Sequence, residues 1–220
     1  MKPPKKAGKP AIRIVAGSPG PAGLLANKRI FGSLATLLKK HHEVITLDDC
    51  QTEAEFLEAL RKEEGALVTL VSCHGYPFTD GSIALGWRGL EITTPLPVID
   101  SNAVVFNACY VLDQNENPTA IVHPAVQSRA LVGGKGIVQR GHVTWFAREL
   151  VRIAESSRRS ELQDPHSACT VLVEICATLE AKRDRLLSEK TEVKPWSDIW
   201  STPRIIGPTD VEALRTMPHC

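Results

Sequence analysis

Apolar residues alternate along this chain between short unbroken runs and helical stripes, beginning at residue 11. "AIRIVAG" (11–17) and "EVITLDD" (43–49) predict strands, the first closed by the turn-forming "GSPGPAG". "ALVTLVSC" (66–73) and "AVVFNA" (103–108) are apolar throughout, as parallel strands covered on both faces must be. "GKGIVQ" (134–139) and "TPRIIG" (202–207) predict a fifth and a sixth strand. Between these runs the period changes. Ile30, Phe31, Leu34, Ala35 and Leu38 recur at helical spacing, as do Phe56, Leu57 and Leu60. Two longer stripes follow, Val143–Phe146–Ala147–Leu150–Val151–Ala154 and Ala168–Val171–Leu172–Ile175–Leu179.

Alternating strands and helices predict a three-layer α/β/α sandwich around a mainly parallel six-stranded sheet. "GSIALGWRGLEIT" (81–93) interrupts the alternation with two β-like runs around Gly86, read as a small inserted hairpin. A short helix is expected near "PAVQSRAL" (124–131). Residues 11–220 read as one domain, and residues 1–10, with four lysines and three prolines, as a disordered basic tail.

Composition narrows the function classes. A formal net charge of +1 supplies no overall attraction to nucleic acid or to an acidic membrane surface. No apolar run approaches the roughly 18 residues of a membrane span, and the first residues lack the apolar centre of an export signal. A cytoplasmic setting with reduced thiols is the expectation. The six cysteines, at 50, 73, 109, 169, 176 and 220, include no CxxC pair, so neither a metal site nor a cofactor is expected. Cys169 and Cys176 lie on a helical stripe and are expected to pack in the core.

The chemistry concentrates at two strand ends. In an open parallel sheet, functional groups gather outside the carboxyl ends of the strands. His74 follows the third strand and Cys109 the fourth; if those strands are neighbours, an imidazole and a thiol meet at one edge. A thiol becomes nucleophilic as the thiolate, and an adjacent histidine accepts its proton. Gly75 would let the backbone approach a substrate carbonyl, and the N–H groups of Gly75 and Cys109 would face a developing oxyanion. Alternation sends Cys73 to the opposite face from His74, and so into the core.

The strand–His–Gly and strand–Ala–Cys pairing resembles the caspase-like cysteine peptidases, and more closely the bacterial CHAT branch of that group. The hairpin after the histidine, "VGGKGIVQ", "HVTWFARELVRIAE" and "KPWSDIWSTPRIIG" fit the branch, so the resemblance covers roughly residues 11–210. It implies a caspase-like peptidase domain, a cysteine endopeptidase with a His74–Cys109 dyad. Such relatives act as regulated effectors in bacterial signalling or defence, some on pore-forming substrates. A protein substrate, and activation by a protein partner or a self-cleaved loop, are therefore expected.

True caspases carry Gln-Ala-Cys and a wider His–Cys separation than the 35 residues here. In metacaspase- and legumain-like relatives, the position two before the cysteine is often acidic and meets the substrate. Here it is Asn107, expected to border the pocket for the residue before the scissile bond. Asp80 and Asp113 are further substrate-binding candidates, with Asp100 a third carboxylate to place. The segment "DQNENPTAIVHP" (113–124) is either a gate that orders on binding or an ordinary surface loop. Two other readings stand beside the peptidase. One is a flavodoxin-like nucleotide- or effector-binding module, with "GSPGPAGLLANKR" as its phosphate loop although it matches neither GxGxxG nor a P-loop. The other is a catalytically silent caspase-like scaffold.

Overall fold

The protein is seen in a computed structural model that describes residues 11–16, 43–46, 52–61, 65–87, 90–113, 115, 117–126, 129–134, 140–188 and 204–206. The basic tail, the loop 17–23, the helix expected over 27–40 and the tryptophan-bearing segment 194–203 lie outside the described residues.

Nine strands are described: β1 (Ile12–Ala16), β2 (Glu43–Thr46), β3 (Ala66–Ser72), β4 (His74–Pro77), β5 (Ile83–Trp87), β6 (Leu90–Ile92), β7 (Ser101–Asn107), β8 (Ala130–Gly133) and β9 (Arg204–Ile206). The described helices are α1 (Glu53–Arg61), α2 (His123–Val126), α3 (Arg140–Ala154) and α4 (Pro165–Ser188), with a 3-10 helix over Ser157–Gln163. Six strands form the main sheet in the order β2-β1-β3-β7-β8-β9. The first five run parallel, and β9 closes the edge antiparallel to β8.

The sheet is buried on both faces because its strands are apolar at successive positions. Ile12 and Ile14 of β1, Val68 and Leu70 of β3, Ala103 and Val105 of β7, and Ala130 and Val132 of β8 join one core. The apolar stripes of α3 and α4 close over them, including Phe146, Leu150, Leu172 and Ile175. Val15, Val71, Val104, Phe106 and Leu131 face the other way. They meet Phe56 and Leu60 of α1, Ile83 and Leu85 of β5, Ile92 of β6, and Val126. Two apolar layers on one sheet make the architecture α/β with helices on both faces.

The helix ends follow local chemistry. Thr52 Oγ1 accepts from the Glu55 amide, and Glu55 accepts from the Thr52 amide, a reciprocal cap that starts α1. Asp164 accepts from the Ser167 amide ahead of α4, and Pro165 fills the first helical position, where no amide hydrogen is missed. Cys176 is buried and Cys169 packs against the same core, where sequence periodicity put them.

Two expectations need correction. The strand beside β7 is Ala130–Gly133, ahead of the expected 134–139, of which 135–139 lie outside the described residues. The contiguous "ALV" is buried and packs on both faces, Ala130 and Val132 in one core and Leu131 in the other. The short helix expected near 124–131 is found at His123–Val126. The inserted hairpin is larger than expected. It is a separate three-stranded antiparallel sheet, β4-β5-β6, with Gly86 inside β5 and His74 itself opening β4.

Candidate functional site

The two candidate reacting residues sit at matched depths. β3 and β7 are adjacent and parallel, and their last registered pair is Ser72 with Asn107. His74 and Cys109 each lie two positions beyond that pair. One further rung extends the ladder, the Cys73 amide donating to the Asn107 carbonyl at 3.3 Å. The chain then leaves the main sheet and enters β4 at His74. Both His74 and Cys109 are half-buried.

Gly75 brings the two segments together. It is buried, and a Cβ built on it would collide with the carbonyl oxygen of Cys109 and lie 3.1 Å from the Cys109 nitrogen. Only a residue without a side chain permits this approach. The clearance was expected to serve a substrate carbonyl; it is taken up by the protein's own Cys109 backbone.

On the Cys109 side the chain turns sharply. Ala108 is buried, and Tyr110 adopts φ 58°, the single positive φ among the described non-glycine residues. A tyrosine gains nothing locally from that conformation, which costs a side-chain-bearing residue on the order of 1–2 kcal/mol. Packing holds it there: Tyr110 leans on the core beneath the small sheet, and Val111 and Leu112 just after it are buried. The turn stops β7 at Asn107, leaving Cys109 at the sheet edge and out of a continuing strand.

Cys73 stands immediately before His74. Cys73 is half-buried against the second core cluster, so it is core-facing but not sealed. Burial, and secondarily the neighbouring Cys109, push its thiol up to about 12, while a hydrogen bond with the Gly86 backbone works the other way. Cys73 therefore stays protonated near neutral pH and is not a thiolate nucleophile there. Cys176 is held up to about 12 by burial, with Glu180 adding to it.

The candidate substrate-binding residues separate in space. Asn107 is half-buried, and its amide nitrogen donates to Ser72 Oγ at 2.9 Å, tying the two strand ends together. Asp113 is exposed and turned into its own loop, accepting from the Asn117 amide at 2.8 Å. Asp80 lies at the β4–β5 turn, where the Ser82 hydroxyl and amide hold its carboxyl below the usual carboxylate range. Asp100 precedes β7, at the opposite end of the strand from Cys109, and pairs with Arg129 at 3.4 Å. Seven strand residues separate that end from the candidate dyad, on the order of 20 Å.

The segment after Cys109 is pinned at both sides. The Thr119 amide donates to the Val111 carbonyl at 3.0 Å, and the Asp113 amide to the Asn117 carbonyl at 2.8 Å. Ile121 and Val122 are buried.

Sequence reasoning passed over three residues here: Ser72, Tyr110 and Tyr76. Tyr76 carried a signal, since it stands two positions after His74 in a strand and so shares its face. The φ of Tyr110 carried none. Among the described residues no group of three histidine, cysteine or acidic side chains is placed to hold a metal ion, and no helix is long and apolar enough to cross a membrane. Residues 17–29, the phosphate loop of the nucleotide-binding alternative and a cleft wall in the peptidase reading, lie outside the described residues. Comparison of the sequence with protein-family models and with curated proteins gives no match.

Proposed function

We propose that this chain is a cysteine endopeptidase of the caspase-like kind, nearest the CHAT branch, acting through His74 and Cys109. The observation that carries the reading is the shared register. Adjacent parallel strands end at Ser72 and Asn107, each followed two residues later by one member of a proton-acceptor and nucleophile pair. The contact of Gly75 with the Cys109 backbone supports it, because it fixes the histidine segment against the cysteine segment.

In this mechanism His74 takes the Cys109 thiol proton, and the thiolate adds to the carbonyl carbon of a peptide bond. The N–H groups of Gly75 and Cys109 face the resulting oxyanion. Collapse expels the amine, which receives its proton from His74, and leaves a thioester on Cys109. Water, deprotonated by His74, then releases the carboxylate and regenerates the thiol. Asn107 contributes a neutral amide near the acyl side, already half-committed to Ser72. Asp113 and Asp80 serve their own turns and are weaker substrate contacts than the sequence implied. The substrate is a protein, and the regulated effector role in signalling or defence belongs to this same proposal.

The sheet order β2-β1-β3-β7-β8 also occurs in flavodoxin-type sheets, whose ligands bind where the order reverses, between β1 and β3. His74 and Cys109 stand one strand away, at β3 and β7. An unbiased peptide library tests the assignment: wild type cleaves it, and Cys109→Ala, folded and with an unchanged melting temperature, does not. Turnover retained in Cys109→Ala rules the mechanism out. Absence of any cleavage by wild type, with tight nucleotide binding, transfers the chain to the binding-module reading.

A further inference from the structure

His74 and Tyr76 leave β4 on the same face of the small sheet, two positions apart. Their ring centroids are 5.4 Å apart and the planes are inclined by 37°. On that face, the row registered with His74 runs through Gly86 of β5 to Glu91 of β6. Gly86 presents no side chain there; a Cβ on it would collide with the Leu90 carbonyl oxygen and stand 3.4 Å from Tyr76 Cε2. The tyrosine ring thus lies over the Gly86 backbone, against the place that the Leu90 carbonyl occupies. Burial raises the pKa of its phenol, then Glu91, Cys73 and Cys109 in that order, so the ring lies within the electrostatic reach of both cysteines and stays a neutral phenol. Tyr76 nevertheless keeps 37% of its surface exposed, which is poor use of an aromatic ring whose task is core burial.

We propose that Tyr76 is a positioning residue that restricts the His74 imidazole to orientations facing Cys109. His74 is the first residue of β4, at the rim between the two sheets, where its side chain has more than one staggered well to choose from. The Tyr76 ring fills the space along the strand and removes the wells that point down β4. The ring does this by its flat surface, and the hydroxyl is dispensable. The inference rests on the His74–Cys109 reading above but concerns the proton acceptor, not the substrate.

Site-resolved alkylation of Cys109 in the full chain by iodoacetamide near neutral pH measures the effect without any substrate. Tyr76→Ala and Tyr76→Leu are expected to slow it by about tenfold, and Tyr76→Phe to stay within about twofold of wild type. In a His74→Ala background, Tyr76→Ala is expected to add nothing, since the two changes remove one function. On a cleaved peptide the loss should fall on kcat with KM little changed. Unaltered alkylation in folded Tyr76→Leu, or equal slowing with and without His74, overturns the inference. The peptidase reading fails separately, through absent peptide cleavage while Cys109 alkylation still depends on His74 and Tyr76.

Discussion

The β3–β7 strand pair has polar residues at both of its ends and uses them in opposite ways. Toward the amino end, the Ser101 hydroxyl bonds that of Thr69 in the middle of β3, and Arg129 donates to the Ser101 carbonyl and reaches Asp100. The Ala66 amide donates to the Asp100 carbonyl at 3.1 Å. Thr69 and Ser101 are fully buried, so each polar group there is consumed in holding the strands. At the carboxyl end, the Ser72–Asn107 bond plays the same part. Beyond it the chain turns outward, at Tyr110 on one strand and into the small sheet on the other, and His74, Tyr76 and Cys109 keep solvent access. The lesson is that residue type did not separate structure from candidate chemistry. What separates them is whether the backbone continues past the last registered pair.

The largest expected effect breaks the carboxyl end alone. His74→Ala is expected to lower kcat/KM by a factor on the order of 10²–10⁴ with folding intact, read by peptide turnover beside a thermal melt. Gly75→Ala should disturb both properties. Its Cβ meets the Cys109 carbonyl, so a loss of roughly 1–3 kcal/mol in a denaturant melt is expected, with turnover reduced by about 100-fold as Cys109 is displaced. Normal activity in Gly75→Ala would show that the contact does not position the cysteine.

The mirror-image experiment acts on the amino end. Ser101→Ala leaves the buried Thr69 hydroxyl without its partner, costing about 1–3 kcal/mol of stability, while turnover stays within about twofold. A rate loss there without a stability loss would erase the distinction between the ends. Asn107→Asp sharpens the boundary between them. Ser72 can donate to the new carboxylate, and a library profile should shift toward lysine or arginine beside the scissile bond, by about tenfold or less because the group is only half-buried. An unchanged profile moves the pocket elsewhere.

The smallest effect is a pH dependence. Burial raises the Cys73 thiol to about 12 in the folded chain, against an ordinary thiol value near about 8.5 in the unfolded one. A pKa raised by folding means that the folded state binds the proton more tightly. The stabilisation is complete below the unfolded value and is lost as pH climbs from there toward about 12. Cys73→Ala should therefore flatten the alkaline decline in melting temperature relative to wild type. An identical decline in both would assign it to other groups, Cys176 first among them.

Much of this fold is legible in local pattern. The stripes over 143–154 and 168–179 correspond to α3 and α4, and the runs at 66–73 and 103–108 to β3 and β7, because burial on one or both faces imposes a period that survives in the letters. Boundaries fared worse. β8 begins at Ala130, since a strand is ended by its partners and not by its own propensity. The three carboxylates proposed near the site show the same limit. Asp80, Asp100 and Asp113 are equivalent on the page of letters, yet one caps a turn, one closes a loop and one faces Arg129 at the far end of the sheet.

By itself the sequence determined that His74 and Cys109 each follow an apolar strand, and that Gly75 and Ala108 flank them. Those facts depend only on neighbours along the chain. Tertiary structure alone decided that β3 and β7 are adjacent and in register at Ser72 and Asn107. It also decided that Gly75 backs onto Cys109 and that Tyr110 is held at positive φ. Each of these is a contact between segments tens of residues apart or a backbone state stabilised by such contacts. Local propensity has no term for either, because the free energy that selects them is released only when the two core layers close on the sheet.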